Sequence, residues 1–475
     1  MYKNWLKSYQ NIREVLIPKP LIVRKGGVPK SLKGSYYKSS PGQFDKFGSQ
    51  VAHPFDGDGY VSSFYIDNGQ IYYQARFVDT QHRIHEEFLK NRLYTGAFGT
   101  PPHGTFIKNP ANTTVIQWGK YLIVFCESGA PYLLDPFTLK TIGTLIPFRD
   151  GLPFRFGIAP LDHTLHEIGI FGDAVGAHPK IVGDRLVLYS IVFENTHTRM
   201  TFFELSKDYE IVSSTEYLVQ SPLYFVHDFQ VTENEYLFVE HSVQLNMKHM
   251  SRGLVNCIEP HPEKHFNRIH RVPRNKTLQR VQITKEHCKE ILPGFITHYA
   301  GSPVFTSNQY EFWCILYPKP IEWDHMENLY QGALYKSIWN IKENSIYQQR
   351  ITDYFYEFPV EGEITHHGSY IYTLMSHPDK IKTSSVLAKL NRSQCNPDKM
   401  IEDVWYSSEE LFLGEPMYAQ GFVLTVCYDS EHNESLLYIF DCKKISKGPV
   451  CILELPYPSP IGLHGFWSSM QPILL

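Results

Sequence analysis

Short apolar runs alternate with polar turns along most of this chain. From about residue 50 onward the pattern is strand, turn, strand, with few convincing long helices. The segment YVSSFYIDNGQIYYQARFV predicts a hairpin whose turn is Asp67-Asn68-Gly69, because an Asn-Gly pair accepts the positive φ of a tight turn. The pattern therefore predicts an all-β fold.

The same arrangement of two apolar strands around a polar turn recurs in five further segments. They are TTVIQWGKYLIVFCESGAPYLLD, KIVGDRLVLYSIVF, QVTENEYLFVEHSVQL, EGEITHHGSYIYTLMSH and QGFVLTVCYDSEHNESLLYIFDC. Hairpins repeated over a whole chain favour a meander arranged in blades, as in a β-propeller. No Gly/Ser linker or charge block divides the chain, so we expect residues 1–475 to form a single domain.

Residues 244–290 are the most irregular part of the pattern. They include NMKHMSRGLVNCIEPHPEKHFNRIHRVPRNK, which is rich in His, Lys and Arg. We interpret this region as a long excursion between blades, since long insertions in compact domains are often lids or binding loops.

The N-terminal segment differs from the rest, because its apolar residues recur at helical spacing. The residues on this face are Trp5, Leu6, Tyr9, Ile12 and Leu16. We expect an amphipathic helix within residues 1–20, which either docks on the body of the protein or makes a weak contact with a membrane surface. The segment lacks the continuous apolar run of a signal peptide, and no stretch reaches membrane-spanning length without charge. These observations predict a soluble, cytoplasmic protein, with peripheral membrane contact as the open alternative.

Composition narrows the class of protein. Hydrophobic residues make up 43% of the chain, which supports a sizeable core, and the aromatic content of 14% fits strands or an apolar substrate tunnel. The net charge of −4 provides no electrostatic footprint for nucleic acid, so no nucleic-acid partner is expected. The eight cysteines include no CxxC pair, and buried free thiols in a reducing compartment are the simplest interpretation.

The chain contains 22 histidines, too many for all to bind metal. A histidine metal site needs neutral imidazoles that converge from rigid elements, so position in the strand pattern is the filter. Four histidines lie in apolar or glycine-containing surroundings at predicted strand edges: His178, His227, His298 and His464. In a propeller, residues at the start of inner strands point toward the central axis, where four such side chains can meet. For each one, a core or turn histidine remains the alternative.

Eight motifs in order along the chain carry a resemblance to a known family. The first three are LKGSYYKSSPGQFD, HPFDGDGYVSSFYI and FCESGAPYLLDPFTLKTIG, and AHPK, HDFQVTEN, EFP, GEP and GLHGFW follow. Over nearly its full length the chain resembles the carotenoid cleavage oxygenases. The resemblance implies a seven-bladed β-propeller with loops and short helices that form a cap over its top face.

The resemblance also implies a specific metal centre. The residues that match the family's four ligands to Fe(II) are His178, His227, His298 and His464. The residues that match the carboxylates hydrogen-bonded to three of those histidines are Glu127, Glu357 and Glu415. Four neutral imidazoles leave Fe(II) with its full charge and two open positions for O₂ and solvent, while the outer carboxylates orient the rings. For the glutamates, a surface salt bridge is the alternative.

Two segments depart from the family pattern. Around the third ligand the family shows His-x-x-Asn-Ala-Tyr-Glu, whereas this chain reads HYAGSPV, so only His298 persists. The opening motif has Lys38-Ser39 in place of the usual Arg-Asn. These departures point to a divergent member with an altered substrate or an altered activity.

Members of this family use O₂ to cleave a conjugated carbon–carbon double bond and release two carbonyl fragments. The resemblance thus implies an Fe(II)- and O₂-dependent dioxygenase that acts on a carotenoid or apocarotenoid, an apolar polyene selected by tunnel length and shape. The aromatic runs LPFRFG, SPLYFVHDF and LHGFW are candidate tunnel walls, with ordinary core packing as the alternative.

Other functions stay open at this point. Some relatives cleave stilbenes and resemble one another in a lysine directly before the first of the three glutamates. This chain has Cys126 there, which argues against a phenolic substrate. A propeller can also serve as a binding scaffold without catalysis. An isomerohydrolase, which the family also contains, is a further alternative.

Overall fold

The structure is a computed structural model of the 475-residue chain. It describes residues 2–470 with the exception of 103–105, 154, 169, 195–196, 221–224, 276, 278–279, 286, 307, 319–330, 366–367, 377–385, 395 and 397–398. Strands make up most of the described residues, which confirms the predicted all-β class. The α-helices in this part of the chain are short: α1 Tyr2–Leu6, α2 Gln81–Leu89 and α3 Ala159–Glu167.

The strands follow one another closely along the chain. The first twelve are β1 Val15–Pro20, β2 Ile22–Gly26, β3 Gly34–Gln43, β4 Asp45–Lys46, β5 Ser49–Gln50, β6 Asp58–Asp67, β7 Gln70–Phe77, β8 Thr114–Trp118, β9 Tyr121–Phe125, β10 Tyr132–Leu134, β11 Thr141–Thr144 and β12 Ala174–Val175. The middle strands are β13 Lys180–Val182, β14 Arg185–Phe193, β15 Thr198–Leu205, β16 Ile211–Val219, β17 Phe229–Val231, β18 Glu235–Glu240, β19 Val243–Leu245, β20 Ile258–Pro260, β21 Asn267–Pro273, β22 Arg280–Ile283, β23 Cys288–Ile291, β24 Phe295–Tyr299 and β25 Val304–Thr306. The last are β26 Gln309–Tyr317, β27 Ala333–Asn340, β28 Ser345–Thr365, β29 Gly368–Ser376, β30 Val386–Asn391, β31 Ile401–Tyr406, β32 Leu411–Leu413, β33 Met417–Ala419, β34 Phe422–Asp429, β35 Glu434–Asp441, β36 Cys451–Glu454 and β37 Gly465–Ser468.

These strands form six larger sheets, which we number along the chain. Sheet I is β1-β7-β6-β3-β37, sheet II is β11-β10-β9-β8, and sheet III is β12-β14-β15-β16-β22 with β13 beside β14. Sheet IV is β17-β18-β21-β23, sheet V is β24-β26-β27-β28-β29-β30-β31 with β25 beside β26, and sheet VI is β2-β36-β35-β34-β32 with β33 beside β34. Sheets I and VI each combine strands from the two ends of the chain, so the N- and C-terminal regions are held together.

Most neighbouring strands in these sheets are antiparallel hairpins. The predicted turn Asp67-Asn68-Gly69 is confirmed, because β6 and β7 pair in register around it and Asn68 and Gly69 have φ of 47° and 79°. The hairpin of β28 and β29 also forms, although residues 366–367 at its tip lie outside the described residues. Short apolar runs on either side of a polar turn therefore identified these hairpins correctly.

Apolar clusters link the sheets face to face in the order in which they are numbered. Each neighbouring pair shares one cluster; examples are Val61 with Val115 for I and II, Ile123 with Leu186 for II and III, Phe202 with Tyr236 for III and IV, Val239 with Leu316 for IV and V, Leu374 with Val423 for V and VI, and Ile439 with Phe64 for VI and I. A seventh cluster lies within sheet V and includes Trp313 and Ile371. The order of contacts thus returns to its starting sheet.

The N-terminal prediction was wrong for part of its length. The helix is confined to Tyr2–Leu6, and residues 15–20 form strand β1, which pairs with β7. Trp5 is fully buried in an apolar cluster, whereas Leu16 is 52% exposed on the strand. No helix among the described residues is long and apolar enough to cross a membrane.

The predicted excursion at residues 244–290 is more ordered than the sequence pattern indicated. It contains β20 to β23, and strands β21 and β23 complete sheet IV. Two 3₁₀ turns, Met247–Arg252 and Leu254–Cys257, lie between β19 and β20. The backbone N–H of Val255 donates to the carbonyl of Ala97 at 3.1 Å, so this segment packs on the loop after α2.

Candidate metal centre

The four predicted histidines come from four different sheets. His178 lies between β12 and β13 of sheet III, and His227 comes two residues before β17 of sheet IV. His464 directly precedes β37 of sheet I, whereas His298 lies within β24 of sheet V, where the register with β26 shifts. Three of the four therefore stand just ahead of a strand, and a local irregularity in β24 turns the fourth toward them.

The imidazole rings of these histidines form one cluster. The Nε2 atoms of His178 and His227 lie 3.1 Å apart, and those of His298 and His464 lie 3.2 Å apart. The ring centroid of His178 lies 4.5, 5.2 and 4.8 Å from the centroids of His227, His298 and His464. The structure thus brings together all four predicted residues, including His298, whose surrounding motif departs from the family pattern.

The three predicted glutamates contact the outer nitrogen of three different rings. The Oε1 atoms of Glu127, Glu357 and Glu415 lie 2.6, 3.0 and 2.8 Å from Nδ1 of His227, His298 and His464, respectively. These side chains are not surface salt bridges with lysine or arginine. Each carboxylate instead faces a partly or wholly buried imidazole, an arrangement typical of groups that orient metal ligands.

Glu415 makes the best-defined of these contacts. One carboxylate oxygen lies in hydrogen-bond geometry with Nδ1 of His464, and the other accepts the backbone N–H of Gly465 at 2.7 Å. The contacts of Nδ1 of His227 and of His298 with their glutamates are close but less well directed. His464 is therefore the ring whose orientation the structure restrains most strongly.

In His227, His298 and His464 the glutamate contact decides which nitrogen of the ring faces the cluster. A carboxylate beside Nδ1 favours the tautomer with the proton on Nδ1, so that Nε2 carries a lone pair. His298 and His464 both have such a carboxylate, and their Nε2 lone pairs, which face one another at 3.2 Å, repel unless a cation lies between them. The Nε2 atom of His178 lies at a similar distance, 3.1 Å, from that of His227. Two nitrogens each about 2.1 Å from a metal ion, and at a right angle to one another, lie about 3.0 Å apart. The donor set therefore fits a metal ion.

The electrostatics of the cluster favour neutral imidazoles at two of the rings. Burial, followed by the three neighbouring rings, lowers the pKa of His178 well below its ordinary value. Burial also lowers the pKa of His464. His227 differs: burial opposes its charged form, but the Glu127 carboxylate, together with Asp228 and Glu357, outweighs burial and raises the pKa of the ring. A metal ion at this ring competes with a proton, so binding there weakens as pH falls.

A cavity of about 310 Å³ opens beside the histidine cluster. His227, His298 and His464 form part of its wall. The remainder is largely apolar and includes Phe55, Phe98, Tyr189, Ile191, Phe225, Leu254, Val255, Phe295 and Phe358. This volume lies within the range of about 300–1,000 Å³ that is usual for small-molecule sites. The cluster thus faces a space suited to an apolar ligand.

The predicted aromatic walls contribute only in part. Phe225 and Val226 from SPLYFVHDF line the cavity, whereas residues 221–224 of this run lie outside the described residues. Pro153 and Leu463 are the apolar lining residues among the described parts of LPFRFG and LHGFW, and residue 154 is outside the described part. The sequence pattern missed the walls from Phe55, Phe98 and the 3₁₀ turn after Gly253, because single apolar residues in loops carry no periodic signal.

Cys126 also lines the cavity, beside Glu127. Its Sγ atom lies 3.2 Å from Oγ of Ser128, and burial raises the pKa of the thiol. The side chain therefore presents a neutral, weakly polar group to the cavity.

The first aspartate of the FDGDG motif shapes this wall, a role that sequence analysis did not assign. Asp56 accepts hydrogen bonds from the backbone N–H groups of Phe98 and Thr100 at 3.0 and 3.1 Å, and from the hydroxyl of Thr100 at 2.7 Å. Because the carboxylate holds the turn at residues 96–100, it places the ring of Phe98 in the cavity wall.

The second aspartate of the motif lies in a buried ion network. The carboxylate of Asp58 is 2.6 Å from Nζ of Lys108 and 3.1 Å from Nζ of Lys46, and the same ammonium groups lie 2.7 and 3.4 Å from Glu86. Burial alone would raise the pKa of Asp58, but the two lysines outweigh it and lower the pKa to about 2. Two buried carboxylates thus compensate two buried ammonium groups behind the cavity, and the partly exposed Glu87 lies 3.2 Å from Nζ of Lys46.

A further buried histidine, which the sequence analysis did not select, supports two of the ligand segments. His241 Nδ1 faces the carbonyl of Phe225 at 3.3 Å, and its Nε2 accepts the backbone N–H of Ile296 at 3.1 Å. Burial lowers the pKa of His241 to about 4, so the ring stays neutral. It connects the backbone two residues before His227 with the backbone two residues before His298.

Residues 9–469 match the family model described as retinal pigment epithelial membrane protein. The chain belongs to this family. Because the match spans almost the whole chain, the predicted membership of the carotenoid cleavage oxygenase family is confirmed.

Several curated proteins that resemble this chain are named as oxygenases. The chain is 24% identical to apocarotenoid-15,15'-oxygenase of Synechocystis, over 98% of this chain and 96% of that protein. It is 22% identical to carotenoid cleavage dioxygenase 7, chloroplastic, of Oryza sativa, over 95% and 88%, and 24% identical to isoeugenol monooxygenase of Pseudomonas nitroreducens, over 93% of each. The chain is therefore an enzyme of the oxygenase class.

Solved structures of the family share the fold. A cobalt-substituted form of the Synechocystis enzyme superposes with a TM-score of 0.81 at 24% identity, and 99% of each chain is covered. A chimera built on the same enzyme gives a TM-score of 0.82 with the same identity and coverage. At this level of identity the likeness establishes the fold and leaves the site to be argued from the residues of this chain.

Proposed function

We propose that this enzyme is a non-haem iron dioxygenase that uses O₂ to cleave a conjugated double bond of a carotenoid or apocarotenoid, with two carbonyl products. The observation that carries the proposal is the convergence of four imidazole Nε2 positions beside an apolar cavity, with the rings of His227, His298 and His464 in its wall. Curated relatives named as apocarotenoid and carotenoid cleavage oxygenases support the same reaction.

The proposed metal ligands are His178, His227, His298 and His464, and the proposed ion is Fe(II). An all-imidazole site suits a borderline divalent transition metal better than Mg²⁺ or Ca²⁺, which prefer oxygen. When bound, Fe(II) would supply the activation of O₂. Glu127, Glu357 and Glu415 orient three of the rings and offset part of the metal charge, because each lies within 3.0 Å of an Nδ1 atom.

The cavity supports an apolar polyene as the substrate. Aromatic and aliphatic side chains dominate its wall, so selection depends on shape and length more than on hydrogen bonds. Lys108 is a charged lining residue, but Asp58 and Glu86 hold its ammonium at 2.6 and 2.7 Å. The ammonium of Lys108 is therefore already paired with carboxylates of the protein.

A phenolic substrate is the second candidate, favoured by the relatives named isoeugenol monooxygenase. The site of this chain offers a neutral thiol at Cys126, and burial raises the pKa of that thiol further above its ordinary value. A phenolate would therefore lack a cationic partner at this position. We rank the polyene first on this ground.

We also propose that the fold is a seven-bladed propeller with a cap, formed by residues 1–475 as one domain. Six larger sheets make face-to-face contacts in a closed order, and sheet V contains an additional internal apolar cluster. Strand β28 shifts register twice, between Glu357 and Val360 and between Glu361 and Ile364. A division of sheet V at this strand makes seven blades.

Peripheral contact with a lipid surface is a separate proposal. Helix α2 exposes Ile84, Phe88 and Leu89 by 50, 84 and 58%, and Ile158 and Leu161 at the start of α3 are 58 and 41% exposed. The two helices flank one region. The N–H of Gln81 at the start of α2 donates to the hydroxyl of Tyr132, which donates to Asp150, and the neighbouring Arg149 contacts Glu167 at the end of α3. Co-sedimentation with phospholipid vesicles, lost in Phe88→Ser, would support this contact, and unchanged sedimentation of the variant would contradict it.

Product analysis tests the proposed reaction. The protein is loaded anaerobically with Fe(II), exposed to O₂ and incubated in parallel with an apocarotenal and a hydroxystilbene, and products are identified by mass. We expect two carbonyl fragments from the apocarotenal. Turnover of the hydroxystilbene alone would favour the second candidate, and no turnover together with no retained iron would favour a binding scaffold.

A pair of histidine variants tests the metal assignment. His464→Ala removes one proposed ligand and should abolish iron retention and activity, while far-UV circular dichroism stays that of a folded β-protein. His432→Ala is the matched control, because His432 is a 62% exposed turn residue that pairs with Asp429. Full activity in His464→Ala, or equal loss of iron in both variants, would contradict the assignment.

A further inference from the structure

One buried carboxylate touches the chain segments of three of the four clustered histidines. Asp228 directly follows His227, and its side chain is only 3% exposed. Its position between the ligand segments sets it apart from Glu127, Glu357 and Glu415, which contact the imidazole rings themselves.

The carboxylate of Asp228 divides its contacts between two oxygens. Oδ2 accepts the backbone N–H of Tyr299, the residue after His298, at 3.1 Å. Oδ1 lies 2.7 Å from Nζ of Lys180, two residues after His178, and also accepts the N–H of Phe229 at 2.8 Å. Sheets III, IV and V are thus joined at one side chain.

We propose that Asp228 is a positioning residue that fixes the separation of His178, His227 and His298 and so sets the geometry of the metal centre. The inference rests on the proposed metal function of these histidines. Each contact falls within two residues of a histidine: the carboxylate holds the backbone N–H groups of Tyr299 and Phe229 directly and the segment of His178 through the ammonium of Lys180. Hydrogen bonds to an ionised carboxylate are short and strong, so they can fix the positions of neighbouring sheets relative to one another.

The close approach of the rings explains why a positioning residue is needed here. The Nε2 atoms of His178 and His227 lie 3.1 Å apart although their backbones belong to different sheets. Ligand sites require placement within about 0.5 Å, and residues outside the ligand set usually supply it. Lys180 and the N–H of Tyr299 approach Asp228 from the two flanking sheets, so loss of the carboxylate frees both neighbours at once.

Cobalt titration of the full-length protein tests the proposal without relying on turnover. Co²⁺ is added to metal-free wild type, Asp228→Asn and Asp228→Ala, and its d–d absorption reports the number and geometry of the ligands. We expect Co²⁺ binding to weaken by about 10- to 100-fold in Asp228→Ala, with an altered spectrum, and by less in Asp228→Asn, which keeps one acceptor oxygen.

Glu204→Gln is the matched control for lost stability. Glu204 is also a buried carboxylate with 3% side-chain exposure, and it binds Arg274 and, at 2.7 Å, the hydroxyl of Tyr236. This variant should lower the unfolding temperature while its Co²⁺ affinity and spectrum stay those of wild type. An unchanged affinity and spectrum in Asp228→Ala would overturn the proposal, as would an equal change in Glu204→Gln.

Lys180 provides a second route if Asp228→Ala does not fold. Lys180→Met removes the contact to the His178 segment and should alter the Co²⁺ spectrum, whereas Lys180→Arg keeps the charge and should restore it. A wild-type spectrum in Lys180→Met would count against the proposal. Failure of wild type itself to bind Co²⁺ would refute the proposed metal function instead, so the two failures are distinguishable.

Discussion

Replacement of Glu415 by glutamine should weaken metal binding at His464 while the protein remains folded. The carboxylate accepts two hydrogen bonds, from Nδ1–H of His464 at 2.8 Å and from the N–H of Gly465 at 2.7 Å. Glutamine has one acceptor oxygen in place of two. In Glu415→Gln one of these N–H groups therefore loses its acceptor, and the other loses the charge of its partner.

The size of the effect follows from these contacts. A hydrogen bond to a charged group contributes about 1.5–3 kcal/mol. Because about 1.4 kcal/mol corresponds to a factor of ten in an equilibrium constant, the loss of one such bond predicts a metal dissociation constant roughly 10- to 100-fold higher. The same range is typical when groups that orient metal ligands are removed.

Anaerobic competition with a chromophoric chelator measures the dissociation constant of Glu415→Gln for Fe(II), and product formation provides kcat. Glu431→Gln is the control, because Glu431 is exposed in the turn between β34 and β35. Wild-type metal affinity in Glu415→Gln would contradict the orienting role of this carboxylate. A weakened affinity that merely follows partial unfolding, which thermal denaturation of the metal-free variant would reveal, would contradict it as well.

Three further variants probe the surroundings of the site. Asp58→Asn should cost about 3–5 kcal/mol of unfolding free energy at neutral pH, because it leaves buried lysines with one carboxylate fewer. Lys108 and Lys46 lower the Asp58 pKa from 3.8 to about 2, so the stability that this carboxylate contributes is complete above about pH 4 and is lost as pH falls toward 2. Urea titrations at several pH values measure the difference in unfolding free energy between wild type and Asp58→Asn. A difference that does not shrink between about pH 4 and 2 would contradict this prediction. Burial lowers the Lys38 pKa to about 8, so between about pH 8 and 10.5 the unfolded chain binds this proton more tightly than the folded protein does. The unfolding free energy of wild type relative to Lys38→Met should therefore rise over this range of pH. A fall in this difference would contradict the prediction. Cys126→Val should change kcat/KM for an apocarotenal by less than about tenfold, because a swap of similar volume costs under about 1.5 kcal/mol; a larger loss in steady-state assays would assign the thiol a direct role.

Local patterns in the sequence were sufficient for the secondary structure of most hairpins. The Asp67-Asn68-Gly69 turn follows from the conformations that its own residues adopt, and this short turn places β6 and β7 in register. The same local logic failed at residues 15–20, where helical spacing of apolar residues coincides with a strand that pairs with β7. The sequence of residues 15–20 is compatible with either an amphipathic helix or an edge strand, and the pairing with β7 decides between them.

The candidate site shows the same division. The motifs around His178, His227 and His464 identify those residues by resemblance, and Glu415 follows from its own GEP motif. His298 has no surrounding motif, and only the structure shows its Nε2 to lie 3.2 Å from that of His464. A shift of register in β24 decides this orientation, and such a shift depends on pairing with β26.

The sequence by itself determined the strand-rich class, the hairpin turns, the family and the names of the clustered residues, because each depends on short segments or on motifs in linear order. Only the tertiary structure decided how those residues meet. Asp228, His241 and Asp56 connect segments that are distant in sequence through backbone N–H and carbonyl groups that no side-chain pattern reports. Their roles exist only once distant segments pack together, since hydrogen bonds of about 3 Å depend on the placement of whole sheets.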